Sequence, residues 1–129
     1  MNKILVEVSV GELLDKLSIL EIKQDKIKDT EKLKYINDEY QVLKGQLSKN
    51  VKSDDNLNKL FISLKEINSK LWVIEDDKRM CEKNSDFGEK FIKLSRDVHF
   101  LNDERAKLKL KINDLTGSSV KEIKQYQSY

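Results

Sequence analysis

The chain lacks proline and has only four glycines in 129 residues. Average proline usage of about 5% would give roughly six. Proline removes a helical donor and glycine loosens the backbone, so their scarcity permits long uninterrupted helices. Cysteine occurs once, at Cys81, which excludes an intrachain disulfide and a cysteine zinc set and suits a reducing compartment. No apolar run approaches the ~20 residues that span a bilayer. The opening MNKILVEVSV is too short, and too soon acidic, for a secretory leader, so a cytoplasmic location is expected. Charge of one sign is also missing: 25 basic and 23 acidic residues leave a net +2, with the signs interspersed. A nucleic-acid binder gathers its basic residues on one face, so no nucleic-acid partner is expected. Lys107, Lys109 and Lys111 look like a basic cluster, but residues two apart on a helix point in different directions, and their expected place is a solvated face. No metal and no cofactor is expected.

Charged residues reach 37% and apolar residues 38%, the mixture of amphipathic helices with narrow apolar stripes. The first ten residues alternate, with Ile4, Val6, Val8 and Val10 on one side, and residues 1–9 are expected to be an extended segment. Ser9 and Glu12 form a capping box, and Val8 with Leu13 a hydrophobic staple. The first helix, 10–28, carries Leu13, Leu17, Leu20 and Ile27, widened by Leu14, Ile19 and Ile22. So wide a stripe predicts burial against more than one neighbour. Asp29 or Thr30 caps a second helix, 30–49. Ser53, Asp54 or Asp55 caps a third, 54–84, whose Leu57, Leu60, Leu64, Ile67, Leu71, Ile74, Lys78 and Cys81 recur at heptad spacing. Asp86 and Glu89 are the capping pair expected for a fourth helix, 87–116, which Gly117 ends. Residues 119–129 are expected to hold a short helix or tail. The fold predicted is all-α: one small antiparallel helical bundle over 1–129, dominated by a long two-helix hairpin.

A turn near 84–87 sets Trp72 opposite His99 and Asp76 opposite Ser95. Trp72, Asp76 and Arg79 share one flank of the third helix, and Ser95, His99 and Asn102 one flank of the fourth. Arg105 belongs to the same strip. The only tryptophan and the only histidine thus converge, while Glu75 and Asp77 point to solvent. With 22 lysines and three arginines, an arginine beside a seam suggests that a planar fork is wanted, for carboxylate or phosphate. The flank is either a polar network holding the hairpin or a site for a phosphorylated small molecule. Glu12, Asp15, Lys16 and Lys23 on the first helix are a second candidate set, expected at the surface. Catalysis has little support. Cys81 does not face His99, and the magnesium-binding pattern of helical nucleotide pyrophosphohydrolases is met only by the E-x-x-D of Glu12 and Asp15.

The stretches VSVGELLDKLSILEIKQDKI, LWVIEDDKRMCEKNSDFGEKFIKLSRDVHFLNDERAKLKLKIN and GSSVKEIKQY resemble a family of short uncharacterised helical proteins of bacteria and their phages. Its members tend to be encoded near genes for glycosyltransferases and surface-polysaccharide assembly. The resemblance implies an accessory role in sugar metabolism and brings no catalytic residues. Lys78 departs from the family pattern LWxIEDxIR, which has an apolar residue there. The function expected is a non-enzymatic interaction module that buries its helical seams against itself or a partner protein. The alternative is a phosphosugar or nucleotide binder, or a small enzyme, built on the Trp72 flank.

Overall fold

The computed structural model describes residues 2–128, and among them there are four helices and no strand. They are α1 (Val10–Lys26), α2 (Thr30–Asn50), α3 (Asp55–Lys83) and α4 (Glu89–Thr116). The expected all-α bundle is therefore what the chain forms. Three helix starts follow from acceptor side chains. Ser9 Oγ takes the Glu12 amide at 3.0 Å, Asp29 Oδ1 takes Lys32 at 3.0 Å, and Asp54 Oδ1 takes Asn56 and Leu57 at 2.7 and 3.1 Å.

The fourth start differs from expectation. α4 begins at Glu89, its N-cap is Gly88, and no side chain caps it. Asp86 Oδ1 accepts instead from the Gly88 amide at 3.2 Å. Residues 84–86 are used to finish α3. The Ser85 amide returns to the Glu82 carbonyl and the Asp86 amide to the Cys81 carbonyl, which is a Schellman closure. Its left-handed position, φ 54°, is held by Ser85. The same closure ends α4, with the left-handed Gly117 at φ 64° and Ser118 N on the Asn113 carbonyl at 2.9 Å. No helix follows: residues 118–128 are irregular. The staple before α1 is not made either, since Val8 stays 40% exposed.

α1 is the central element and the only one that lies beside the other three. Leu14, Leu17, Leu57, Leu64 and Ile112 form the core, with Leu43, Leu47 and Phe61 packed around it. The wide apolar stripe explains this, because a helix touched on three sides must be apolar over most of its girth. α2 has its backbone beside α1 alone. Between its second half and α3 lies a cavity of about 340 Å³, floored by Leu14, Leu17 and Leu57.

α3 and α4, with 29 and 28 residues, pair antiparallel and outrun the 17-residue α1. Leu57, Leu64, Ile67, Leu71 and Cys81 of the heptad seam are buried. Lys78 interrupts that seam by laying its amine over the Phe91 ring, 5.9 Å from its centre. A cation over an aromatic face keeps its hydration while its stem covers apolar surface. No helix among the described residues is long and apolar enough to cross a membrane.

Candidate functional site

Where α1 crosses the α3–α4 hairpin, seven polar side chains converge. Glu12, Asp15 and Ser18 come from α1, one turn apart. Asn68 comes from α3, and Arg105, Lys109 and Asn113 from successive turns of α4. The buried members are Asp15, Ser18, Asn68, Lys109 and Asn113. Lys109 is the centre. Its Nζ lies 2.5 Å from Glu12 Oε2, 3.6 Å from Asp15 Oδ2 and 3.3 Å from Glu122 Oε2 of the irregular tail. Asn68 Nδ2 donates to Asp15 Oδ1 at 2.8 Å and to Ser18 Oγ at 2.7 Å. Ser18 in turn donates to the Asp15 carbonyl oxygen. Arg105 Nη1 donates to Asn68 Oδ1 at 3.3 Å.

Close approach of two backbones makes this possible. Gly11 N donates to Asn113 Oδ1 at 2.7 Å, and a Cβ on Gly11 would stand 2.6 Å from the Lys109 carbonyl oxygen. Only glycine lets α1 begin so near α4. Val10 N adds a 3.2 Å bond to Ser118 Oγ.

Burial alone would lower the pKa of the Lys109 amine. The Glu12 hydrogen bond and the charges of Asp15, Glu12 and Glu122 outweigh it, and the net shift is upward. A lysine so held is cationic at neutral pH and is neither a nucleophile nor a base. Among the described residues no buried side-chain nitrogen or oxygen lacks a hydrogen-bond partner, and no group of His, Cys, Asp or Glu is placed to hold a metal. The arrangement clamps three helices together. A smaller clamp repeats the logic at the other end of α1, where Glu21 accepts from Tyr40 Oη and from Lys65 Nζ, both at 3.0 Å.

Several expectations need correction. Asp15 is not on a surface: it is 5% exposed. Lys109 is 8% exposed and does not share the solvated face of Lys107 and Lys111. Glu12 reaches Lys109 rather than back to Ser9. Lys16 lies 3.8 Å from Glu12 at the rim, and Lys23 is half-buried near the end of α1. The Trp72 strip is laid out differently from the cluster. Trp72, Ser95 and Asn102 are half-buried, and Asp76, Arg79 and His99 are exposed. Glu75 and Asp77, expected in solvent, are more covered than Asp76. Only Arg105 of that strip enters the buried cluster. Ser18, Asn68, Asn113 and Glu122 were not singled out by the sequence. The one available signal was a column of polar residues, Glu12, Asp15 and Ser18, beside the apolar stripe of a central helix.

The opposite flank of the hairpin carries a groove of about 610 Å³, with Val73, Ile74, Phe100 and Leu101 lining it and Lys70 and Asp97 on its rims. Val73 and Phe100 are 48% and 39% exposed.

Comparison with curated proteins and with solved structures returns no match. Residues 4–129 match a sequence family, a span that takes in α1, the hairpin and the tail that carries Glu122. The chain therefore belongs to the family described as "Family of unknown function (DUF6165)".

Proposed function

We propose that the protein is a non-catalytic helical interaction module that docks an amphipathic helix of a partner protein on the free flank of its hairpin. The observation that carries this reading is the contrast between the two polar and apolar regions. The charged groups are used up in a closed clamp, while the hairpin groove stays open and apolar. Lys70 and Asp97 on its rims offer both signs of charge, as the polar edges of an amphipathic helix require. Met80, seven residues beyond Val73 on the same face of α3, is also exposed. The resemblance to proteins encoded beside glycosyltransferase and polysaccharide-assembly genes indicates where to seek the partner: among sugar-transfer enzymes, to which this module is an accessory.

The test uses a partner identified from the source cells and then purified. Phe100→Glu, at a partly exposed position, is expected to leave the melting temperature unchanged and to weaken binding at least tenfold, about 1.4 kcal/mol. Equal binding by the variant sinks the reading. The second reading, a phosphosugar or nucleotide site, is supported by the exposed Arg79 on the same flank as a half-buried Trp72. It requires a thermal shift with nucleotide sugars that Arg79→Ala and Asp76→Ala abolish, and an unmoved melting temperature rules it out.

A further inference from the structure

Residues 3–8, which their alternation marks as extended, lie outside every helix and expose mostly apolar side chains. Ile4, Leu5 and Val6 are 85%, 86% and 75% exposed. Among the described residues the main-chain groups of residues 3–8 make no hydrogen bond. The segment's root is nevertheless fixed. Ser9 is 3% exposed and caps α1, Val10 N is held by Ser118, and Gly11 N is held by Asn113. An alternating, exposed apolar segment with an unpaired backbone on a fixed root is suited to add a strand to another chain.

We infer that this segment pairs, antiparallel and about a two-fold axis at Leu5, with the same segment of a second copy. The argument for a second copy is charge complementarity within the segment itself. In that register Lys3 of each copy lies opposite Glu7 of the other, and Ile4 lies opposite Val6. Leu5 meets its own counterpart on the axis. Side chains alternate across a strand, so Lys3, Leu5 and Glu7 share one face, with two ion pairs flanking an apolar contact. Ile4, Val6 and Val8 of both copies share the other, a continuous apolar face. Neighbouring registers lose this match. Moving the axis to Val6 sets Leu5 against Glu7 and demands pairing from Ser9, which is buried in the α1 cap. A two-stranded ribbon alone is marginal, and the apolar face supplies the surface on which it rests. This interface is distinct from the hairpin groove and leaves that groove open in both copies.

The experiment uses the full chain with Cys81→Ala as background. Leu5→Cys places two thiols on the axis, where opposed Cα atoms are about 4.5–5.5 Å apart, within disulfide reach. Val8→Cys places them six residues apart along the ribbon, about 20 Å. Rapid oxidative dimerisation of Leu5→Cys, and slow dimerisation of Val8→Cys, is the expected result. Sedimentation of the cysteine-free chain is expected to show a dimer that Lys3→Glu weakens roughly tenfold and Lys3→Glu with Glu7→Lys restores. A monomer at high concentration overturns the proposal. So does a dimer indifferent to both charge variants, or equal cross-linking at the two positions, since each places the interface or the register elsewhere. Phe100→Glu, which tests the groove, is expected to leave this dimer intact.

Discussion

Lys109 shows why a single lysine among 22 cannot be singled out by its neighbours in the chain. It alternates with Lys107 and Lys111, and that local pattern assigns all three to a solvated face. Burial is decided by Gly11, far away in the sequence, which lets α1 come close enough to bring Glu12 and Asp15 onto the amine. Removing one partner of a buried charge pair strands the others. Lys109→Ala is therefore expected to cost about 3 kcal/mol in urea unfolding, whereas Lys121→Ala, which breaks an exposed pair with Asp114, changes stability by less than about 0.5 kcal/mol. Gly11→Ala forces the backbones apart and is expected to cost about 2 kcal/mol. Gly45→Ala, with nothing within 4 Å of the new methyl, is expected to stabilise α2 by about 0.5–1 kcal/mol. The pH dependence has a definite sign. The folded pKa of Lys109 lies above the ordinary 10.5, and that of Tyr40, through burial and its Glu21 partner, above 10.0. Both contributions are fully present below those ordinary values and are lost as pH rises through the raised ones. Urea midpoints are expected to hold through neutral and mildly alkaline pH and to fall above it, less steeply in Lys109→Ala.

The helices themselves were legible, because the information that makes them is local. Apolar residues three and four apart, a serine or aspartate before each of three starts, and a glycine after the last are signals read within one or two turns. The misreading at the fourth start is instructive on the same ground. Asp86 and Glu89 have capping spacing, but the stop of α3 takes Asp86 first, and two signals within a five-residue turn compete for one aspartate. Ser85 has the left-handed position that glycine occupies in the matching closure at Gly117. For a residue with a Cβ that conformation costs about 1 kcal/mol, and Ser85→Gly is expected to raise hairpin stability by that amount, read from thermal melts. Asp54→Ala removes the acceptor of two amides and is expected to cost about 1 kcal/mol.

At the scale of the molecule, a 17-residue α1 secures two helices nearly twice its length. Antiparallel pairing of the hairpin was legible from its short turn, and the central place of α1 from the width of its stripe. The crossing of α1 over α4 was not, since no local pattern records which turn of one helix meets which turn of another. It is that crossing which divides the chain's polar residues between a closed clamp and an open hairpin.

The unequal attachment of the helices has a kinetic counterpart. α2 has its backbone beside α1 alone and a cavity between its second half and α3, so it can open without disturbing the pairing of α3 with α4 or the Lys109 cluster. Amide hydrogen exchange should then reveal two cooperative units. The α2 amides should exchange together through a partial opening, well before the protected turns of α1, α3 and α4 that meet at Leu64 and Ile112. Proteolysis under native conditions should likewise cut first at the two ends of α2, leaving the hairpin and its clamp as the last part of the fold to yield.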